Sequence, residues 1–250
     1  MQLDLAFDIL PIFVVKNKDS LKNRITSVAS FCGTGFLIAP ELFITCWHCV
    51  SSPMPKDHKY VAAIRRKGKY GIISLDNIEK DHNGSDLATA FLPLKPTIPL
   101  LLTKKEVLMG TNIFTYGYPL VGKETKPNGE TQFQLNGRYM EGYVMRSFLY
   151  QNAPAHKKIK SYELNFQIPE GLSGAPLIKM NSKEVIGVIY GSNEVASIDQ
   201  YAHIDATTGK REPEIQRLIQ FGLAHYTETL QSLSSSITRG KTLREYIFLK

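Results

Sequence analysis

Residues Glu170-Gly171-Leu172-Ser173-Gly174-Ala175-Pro176 hold one serine between two glycines, with a proline three positions on. Glycine on both sides lets the backbone turn sharply and aim its N–H groups outward. A serine at such a bend exposes its hydroxyl where neighbouring N–H groups converge. Acyl transfer needs this arrangement, a nucleophile and an oxyanion hole made by one turn. Gly-Ser-Pro clusters also make ordinary loops, so the stretch gains meaning only if the chain supplies a histidine and a carboxylate in suitable contexts.

Two further contexts do so. Gly33-Thr34-Gly35-Phe36-Leu37-Ile38 reads as a glycine turn and a strand, and Leu42-Phe43-Ile44-Thr45-Cys46-Trp47-His48-Cys49-Val50 as a second strand with His48 at its end. Ser85-Asp86-Leu87-Ala88 puts an aspartate at the mouth of an apolar strand. A serine hydroxyl is a poor nucleophile until a base removes its proton. Neutral His48 titrates in the right range to be that base, and a buried Asp86 would fix its tautomer and stabilise the imidazolium. The N–H groups of Gly171 and Ser173 would bind the oxyanion. Asp81 competes with Asp86 for the third role; Asp86 is preferred because an apolar strand follows it directly. His58, His82, His156 and His225 read as loop or surface residues.

The 250 residues are 43% hydrophobic and 21% charged, the profile of a globular chain with a sizeable core. The net charge of +7 is scattered, with clusters only at Arg65-Arg66-Lys67 and His156-Lys157-Lys158, which argues against a nucleic-acid partner. No apolar run reaches transmembrane length, so no membrane partner is expected. The opening eight residues carry two aspartates and no lysine, unlike a secretory leader, and three cysteines, an odd number, do not suit a secreted disulfide framework. The expectation is a cytoplasmic protein.

Short runs rich in β-branched and aromatic residues, bounded by turn residues, predict strands at 28–31, 35–38, 42–46, 60–64, 70–75 and 87–92. A second series falls at 112–116, 131–135, 138–144, 161–167, 175–178, 185–190 and 200–204. This spacing, without intervening helices, predicts an all-β protein. Both series would belong to one domain over 1–206, followed by a C-terminal helical extension over 207–250. In that extension Pro213 opens a helix over 215–222, 232–236 is a break, and a short helix covers 243–248.

Together the three contexts resemble the trypsin-like (chymotrypsin-fold) serine proteases, most of all the bacterial Htr-type branch, over about residues 25–225. Thr45-Cys46-Trp47-His48-Cys49 resembles the family's Thr-Ala-Ala-His-Cys, Ser85-Asp86-Leu87-Ala88 its Asp-Ile-Ala strand, and Gly171 to Pro176 its Gly-Asx-Ser-Gly-Gly-Pro. Tyr116-Gly117-Tyr118-Pro119 and the expected 215–222 helix are smaller echoes, the latter of the Htr helix that leads into a PDZ module; no PDZ module follows. The resemblance implies two six-stranded antiparallel β-barrels, the first over about 1–100 and the second over about 108–206, with the site in the cleft between them. It implies a serine endopeptidase with His48, Asp86 and Ser173 as triad, Gly171 and Ser173 as oxyanion donors, and no metal or organic cofactor. Cys32 and Cys49 match the family's disulfide beside the histidine; in a reducing compartment they would be close, unbonded thiols.

Departures carry information. Leu172 stands where the family has Asp or Asn, so activation through a new amino terminus is not expected. Ala175 replaces a glycine, tolerable where φ is negative. By resemblance the primary pocket is lined by Gln167, by Ile189, Tyr190 and Gly191, and by the 201–203 strand with His203. No aspartate sits at the position of Gln167, which argues against a preference for Lys or Arg. Tyr190-Gly191 offers an edge on which a substrate strand can add. His203 reads most simply as facing outward; facing the pocket, it would donate to a Glu or Gln side chain of the substrate.

Other readings stand beside this one. Cys46 and Cys49 form a Cys-x-x-Cys motif, and with Cys32 and His48 suggest a Cys3His zinc site, disfavoured because adjacent His48 and Cys49 point to opposite faces if the strand continues. A catalytically silent module that binds peptides or a partner protein is the main rival to the enzyme. A protease domain taken from a larger protein, with a regulatory domain or partner, is the other.

Overall fold

The computed structural model describes residues 5–17, 25–66, 69–119, 122–125, 131–151, 158–200, 203–204, 207–209, 211–212 and 215–249. Its first half contains β1 (Ile9–Asn17), β2 (Ile25–Ala39), β3 (Leu42–Cys46), β4 (His58–Arg66), β5 (Lys69–Ser74), β6 (Asp76–Lys80) and β7 (Leu87–Phe91). They form one sheet in the order β5-β4-β1-β2-β3-β7-β6. The second half contains β8 (Leu101–Leu102), β9 (Asn112–Gly117), β10 (Gly122–Thr125), β11 (Thr131–Gln134), β12 (Arg138–Tyr150), β13 (Ile159–Leu164), β14 (Pro176–Lys179), β15 (Glu184–Gln200), β16 (His203–Ile204), β17 (Arg211–Glu212) and β18 (Ile215–His225). Here β14-β9-β12-β13-β18-β15 closes on itself through a β14–β15 pairing, and β8 adds outside β15. Strands β10 and β11 form a separate two-stranded sheet, as do β16 and β17. The chain is therefore all-β, two curled sheets with short C-terminal helices.

Three details differ from the sequence expectation. Each main sheet has seven strands rather than six, and β8 pairs with β15 in parallel, an exception to the antiparallel pattern. The second sheet runs past residue 206. And the helix expected over 215–222 is a strand: β18 pairs with β15 from Gln200↔Ile215 to Val188↔His225. Ile215, Leu218, Ile219 and Leu223 fit a helical stripe by spacing, but short apolar runs do not separate helix from strand by period alone. The paired strand leaves Leu218 exposed rather than buried on a common face. Among the described residues, α-helix is confined to α1 (Thr227–Ser232) and α2 (Leu243–Phe248), the latter held by a capping box of Thr242 and Glu245.

The first sheet's central strands are buried on both faces, which is why β1 and β3 read as nearly continuous apolar runs. Pro11 lacks an N–H and is tolerated inside β1 because β4 pairs with β1 only from Ile12 onward. The first core crosses the seam: Phe36, Phe43, Leu42 and Leu87 belong to one cluster with Ile178 and Val188 of the second sheet and with Leu230, Leu233 and Leu243 of the C-terminal segment. That segment is pinned further by Asp81, whose buried carboxylate accepts from Ser85 Oγ and from the Ser234 N–H. Asp81 thus closes a turn and anchors the terminus, and its role as triad member falls away. No helix among the described residues is long and apolar enough to cross a membrane.

The connector between the halves is tied by Asp8. Its buried carboxylate accepts from the Thr97 N–H at 2.7 Å and from the Ile98 N–H. Hydrogen bonds to charged groups contribute about 1.5–3 kcal/mol each, and water recovers part of that loss. Asp8→Ala is expected to lower the unfolding free energy by about 2 kcal/mol in urea titrations. A midpoint equal to that of the unsubstituted chain would contradict this role.

Candidate active site

Strand register brings His48 and Asp86 together. β3 and β7 pair antiparallel with Cys46 opposite Leu87, so the residues just past the end of one strand face those just before the other. After Cys46 the chain turns into a 3-10 segment, Trp47–Cys49, instead of continuing as a strand. The Trp47 N–H bonds to the Asp86 carbonyl at 3.0 Å. The Asp86 carboxylate then takes the His48 backbone N–H at 3.0 Å through one oxygen and His48 Nδ1 at 2.6 Å through the other. Two bonds to one carboxylate fix the imidazole's position and place the Nδ1 proton on the Asp86 side.

The electrostatics follow. Burial pulls the pKa of His48 down, but the hydrogen bonds to Asp86 and to Cys49 outweigh it and lift the imidazole to about 10. Burial pushes the Asp86 carboxyl up, and the bond from His48 outweighs that and holds it below the usual carboxylate value.

Ser173 comes from the second sheet on its glycine-flanked turn. Gly171 and Gly174 have φ of +92° and +87°, in the region that side chains resist. A Cβ on Gly174 would strike the Thr34 carbonyl and Thr45 Oγ1, and one on Gly171 would strike the Phe31 ring, so both positions demand glycine. Ala175 is not among the positive-φ residues, and its side chain is accommodated. Among the described residues, the N–H groups of Gly171 and Ser173 have no acceptor, whereas those of Leu172, Gly174 and Ala175 bond to Pro169, Ile189 and Leu172 carbonyls. Two free donors beside the serine are what an oxyanion would need.

The turn is docked on the first sheet by Thr34, a residue that sequence reading placed in a glycine turn and gave no role. Thr34 lies within β2 and is fully buried. Its N–H donates to the Ser173 carbonyl at 2.9 Å, and its Oγ1 donates to the Gly171 carbonyl at 2.9 Å and accepts from the Tyr118 N–H at 3.2 Å. Its own carbonyl accepts from Thr45 Oγ1 at 2.7 Å. Cys49 Sγ reaches the same Ser173 carbonyl at 3.6 Å.

The Ser173 hydroxyl donates to the Tyr190 carbonyl at 3.3 Å. Among the described residues no hydrogen bond joins it to His48. Tyr190 is the extra residue of a β-bulge, since Ile189 pairs with Ala224 and Gly191 with Leu223, and bulges re-aim a peptide group.

The expected pocket residues scatter. Ile189 is fully buried in the second core and contributes only its backbone, so its side chain does not line a pocket. Tyr190 turns its ring inward, with Oη 2.8 Å from Ser161 Oγ. One edge of β15 at Gly191 is covered by β18, and a Cβ on Gly191 would meet nothing within 4 Å. Gln167 is exposed. His203 pairs with Glu212 through its backbone, and its side chain, like Tyr201, Ala202 and His156, lies outside the described residues. His225 corrects the expectation of a surface residue: it is wholly buried, its ring 4.6 Å from that of Tyr190. Cys32, Cys46 and Cys49 are unbonded thiols.

The His48–Asp86 pair predicts a titration. A group whose folded pKa is raised keeps its proton to higher pH, so the His48 Hε1 resonance should titrate with a midpoint above the ordinary value of about 6.5. Asp86→Asn removes the carboxylate's charge and leaves burial and the bond to Cys49, and the midpoint should fall below that of the unsubstituted chain. Equal midpoints in the two proteins would contradict the pairing.

Comparison with known proteins agrees with this geometry. Residues 33–188 match the trypsin-like peptidase domain. No curated protein sequence matches the chain. Among solved structures, the active form of the Rv3671c protease from M. tuberculosis is similar at a TM-score of 0.55 and 17% identity, covering 89% of this chain and 77% of that one. The MamO protease domain from Magnetospirillum magneticum gives 0.53 and 13%, covering 92% and 96%. The HtrA-type protease AlgW, solved with a decapeptide, gives 0.53 and 14%, covering 97% and 65%. At these identities the likeness is one of fold, and the sequence match supplies the family. The chain belongs to the trypsin-like peptidase domain family, a family of serine-protease hydrolases.

Proposed function

We propose that this chain is a serine endopeptidase that works through Ser173, His48 and Asp86. The observation that carries the reading is the bidentate hold of Asp86 on His48, next to a serine turn with two free N–H donors. Ser173 Oγ attacks the carbonyl carbon of a peptide bond while Nε2 of the neutral form of His48, whose share grows as pH rises towards its pKa, takes its proton. Asp86 keeps the Nδ1 proton in place and stabilises the imidazolium. The carbonyl oxygen, now an oxyanion, is held by the N–H groups of Gly171 and Ser173, each worth about 3–4 kcal/mol in comparable sites. His48 then protonates the leaving amine, and an acyl-enzyme remains on Ser173. A water deprotonated by His48 releases it by the reverse route.

Substrates in this reading are proteins or peptides, in keeping with the decapeptide bound by AlgW. A substrate strand laid along Tyr190 and Gly191 would compete for the Tyr190 carbonyl that now holds the serine hydroxyl. Substrate, or a regulatory partner, thereby frees Ser173 for His48. The unbonded Cys32 and Cys49 favour a cytoplasmic setting.

The bond to Tyr190 also favours the second reading, a silent member of the fold that binds peptides without cleaving them. A fluorophosphonate probe separates the two. The endopeptidase reading expects labelling of the chain, lost in Ser173→Ala and cut by orders of magnitude in His48→Ala. An unlabelled chain that still binds peptides would establish the silent reading.

A further inference from the structure

His225 is the last residue of β18. The ring is wholly buried, yet neither Nδ1 nor Nε2 has a hydrogen-bond partner among the described residues. Such an orphaned buried polar group costs stability unless something satisfies it. What lies beside it is specific. A ring nitrogen of His225, Cys46 Sγ and an Asp86 carboxylate oxygen all fall within 4.8 Å of one another. They come from three elements, the last residue of β3, the residue before β7 and the last residue of β18, so the sheet registers fix their meeting.

We propose that Cys46, Asp86 and His225 form a zinc site behind the His48–Asp86 pair, and that the ion switches the site off by drawing on the Asp86 carboxylate. The donor set selects the metal: thiolate and imidazole suit zinc, whereas calcium and magnesium want oxygen ligands. This set differs from the Cys-x-x-Cys set read in the sequence, since it uses neither Cys49 nor His48. The charge also balances. One thiolate and one carboxylate cancel a divalent ion, and the imidazole binds neutral, so the filled site buries no net charge. Bonds of about 2.0–2.3 Å in a tetrahedron put ligand atoms about 3.5 Å apart, so the three need to close by about 1 Å. Asp86, with a side chain 32% exposed, opens the site to solvent, while Cys46 and His225 are wholly buried. On binding, the Cys46 S–H proton leaves to solvent, a sulfur–zinc bond forms, and nothing is oxidised or reduced. The fourth position is left for water.

Metal binding stands on the geometry alone; inhibition rests on the proposed triad. The test uses the whole chain and cobalt(II) as the spectroscopic stand-in for zinc. One equivalent should give a near-ultraviolet thiolate-to-cobalt band, abolished by zinc. Cys46→Ala should lose the band. His225→Phe, which keeps the stack on Tyr190, should weaken zinc binding by about 100-fold or more. Cys32→Ser/Cys49→Ser should keep both the band and the affinity. No band in the folded protein, or a band that survives Cys46→Ala, would overturn the site. Zinc should also suppress fluorophosphonate labelling of the unsubstituted chain and not of Cys46→Ala. Equal suppression in both would mean that zinc acts elsewhere, such as on His48, and would overturn the switch. A chain that binds cobalt yet never labels would count against the endopeptidase reading and leave the metal site standing.

Discussion

The site depends on Thr34. It grips the serine turn twice, its backbone N–H on the Ser173 carbonyl and its hydroxyl on the Gly171 carbonyl, and the same hydroxyl accepts from the Tyr118 N–H. Each bond contributes about 1 kcal/mol net, a modest figure. The constraint matters more than the sum. All these partners are buried or half-buried, so pulling the turn away would leave several polar groups unpaired at once. The Leu172 carbonyl, in the same peptide as the Ser173 N–H, is held in turn by the Ala175 N–H, so the turn is fixed on both sides of the serine.

The other half of the site is set by pairing within the first sheet. Once Cys46 faces Leu87, His48 and Asp86 can meet without any help from the second sheet. The two halves are thus built independently and brought together at the seam, where the core is continuous and Thr34 fixes the approach. That construction explains why the Asp86 carboxylate faces two histidines. His48 binds it from the cleft, and His225, carried by the second sheet, approaches it together with Cys46.

What the sequence made legible was local. The serine turn, the histidine after β3 and the aspartate before β7 each had a recognisable neighbourhood, and Leu42–Cys46 was read to the residue. What stayed hidden depended on distant partners. Thr34 sits between two glycines and looked like part of a turn, whereas pairing with Pro11 of β1 makes it strand. Ile189 looked like a pocket wall because its neighbours resemble one, but alternation in β15 turns it inward. His225 had no local signal at all: the strand that buries it was mistaken for a helix, and its neighbours Cys46 and Asp86 lie more than a hundred residues away. A buried polar residue at a strand end is visible only once the partner strand is known.

The account's central claim is that Thr34 sets the position of the Ser173 turn, and under the proposed function the most direct measurement is the rate at which a fluorophosphonate labels Ser173 in Thr34 variants. Thr34→Val keeps shape and backbone bonds but loses the hydroxyl, and small displacements of a nucleophile cost about 100-fold in rate. The expected result is a fall of about that size in Thr34→Val and a near-normal rate in Thr34→Ser, which restores the hydroxyl. A Thr34→Val protein that labels as fast as the unsubstituted chain would contradict the claim.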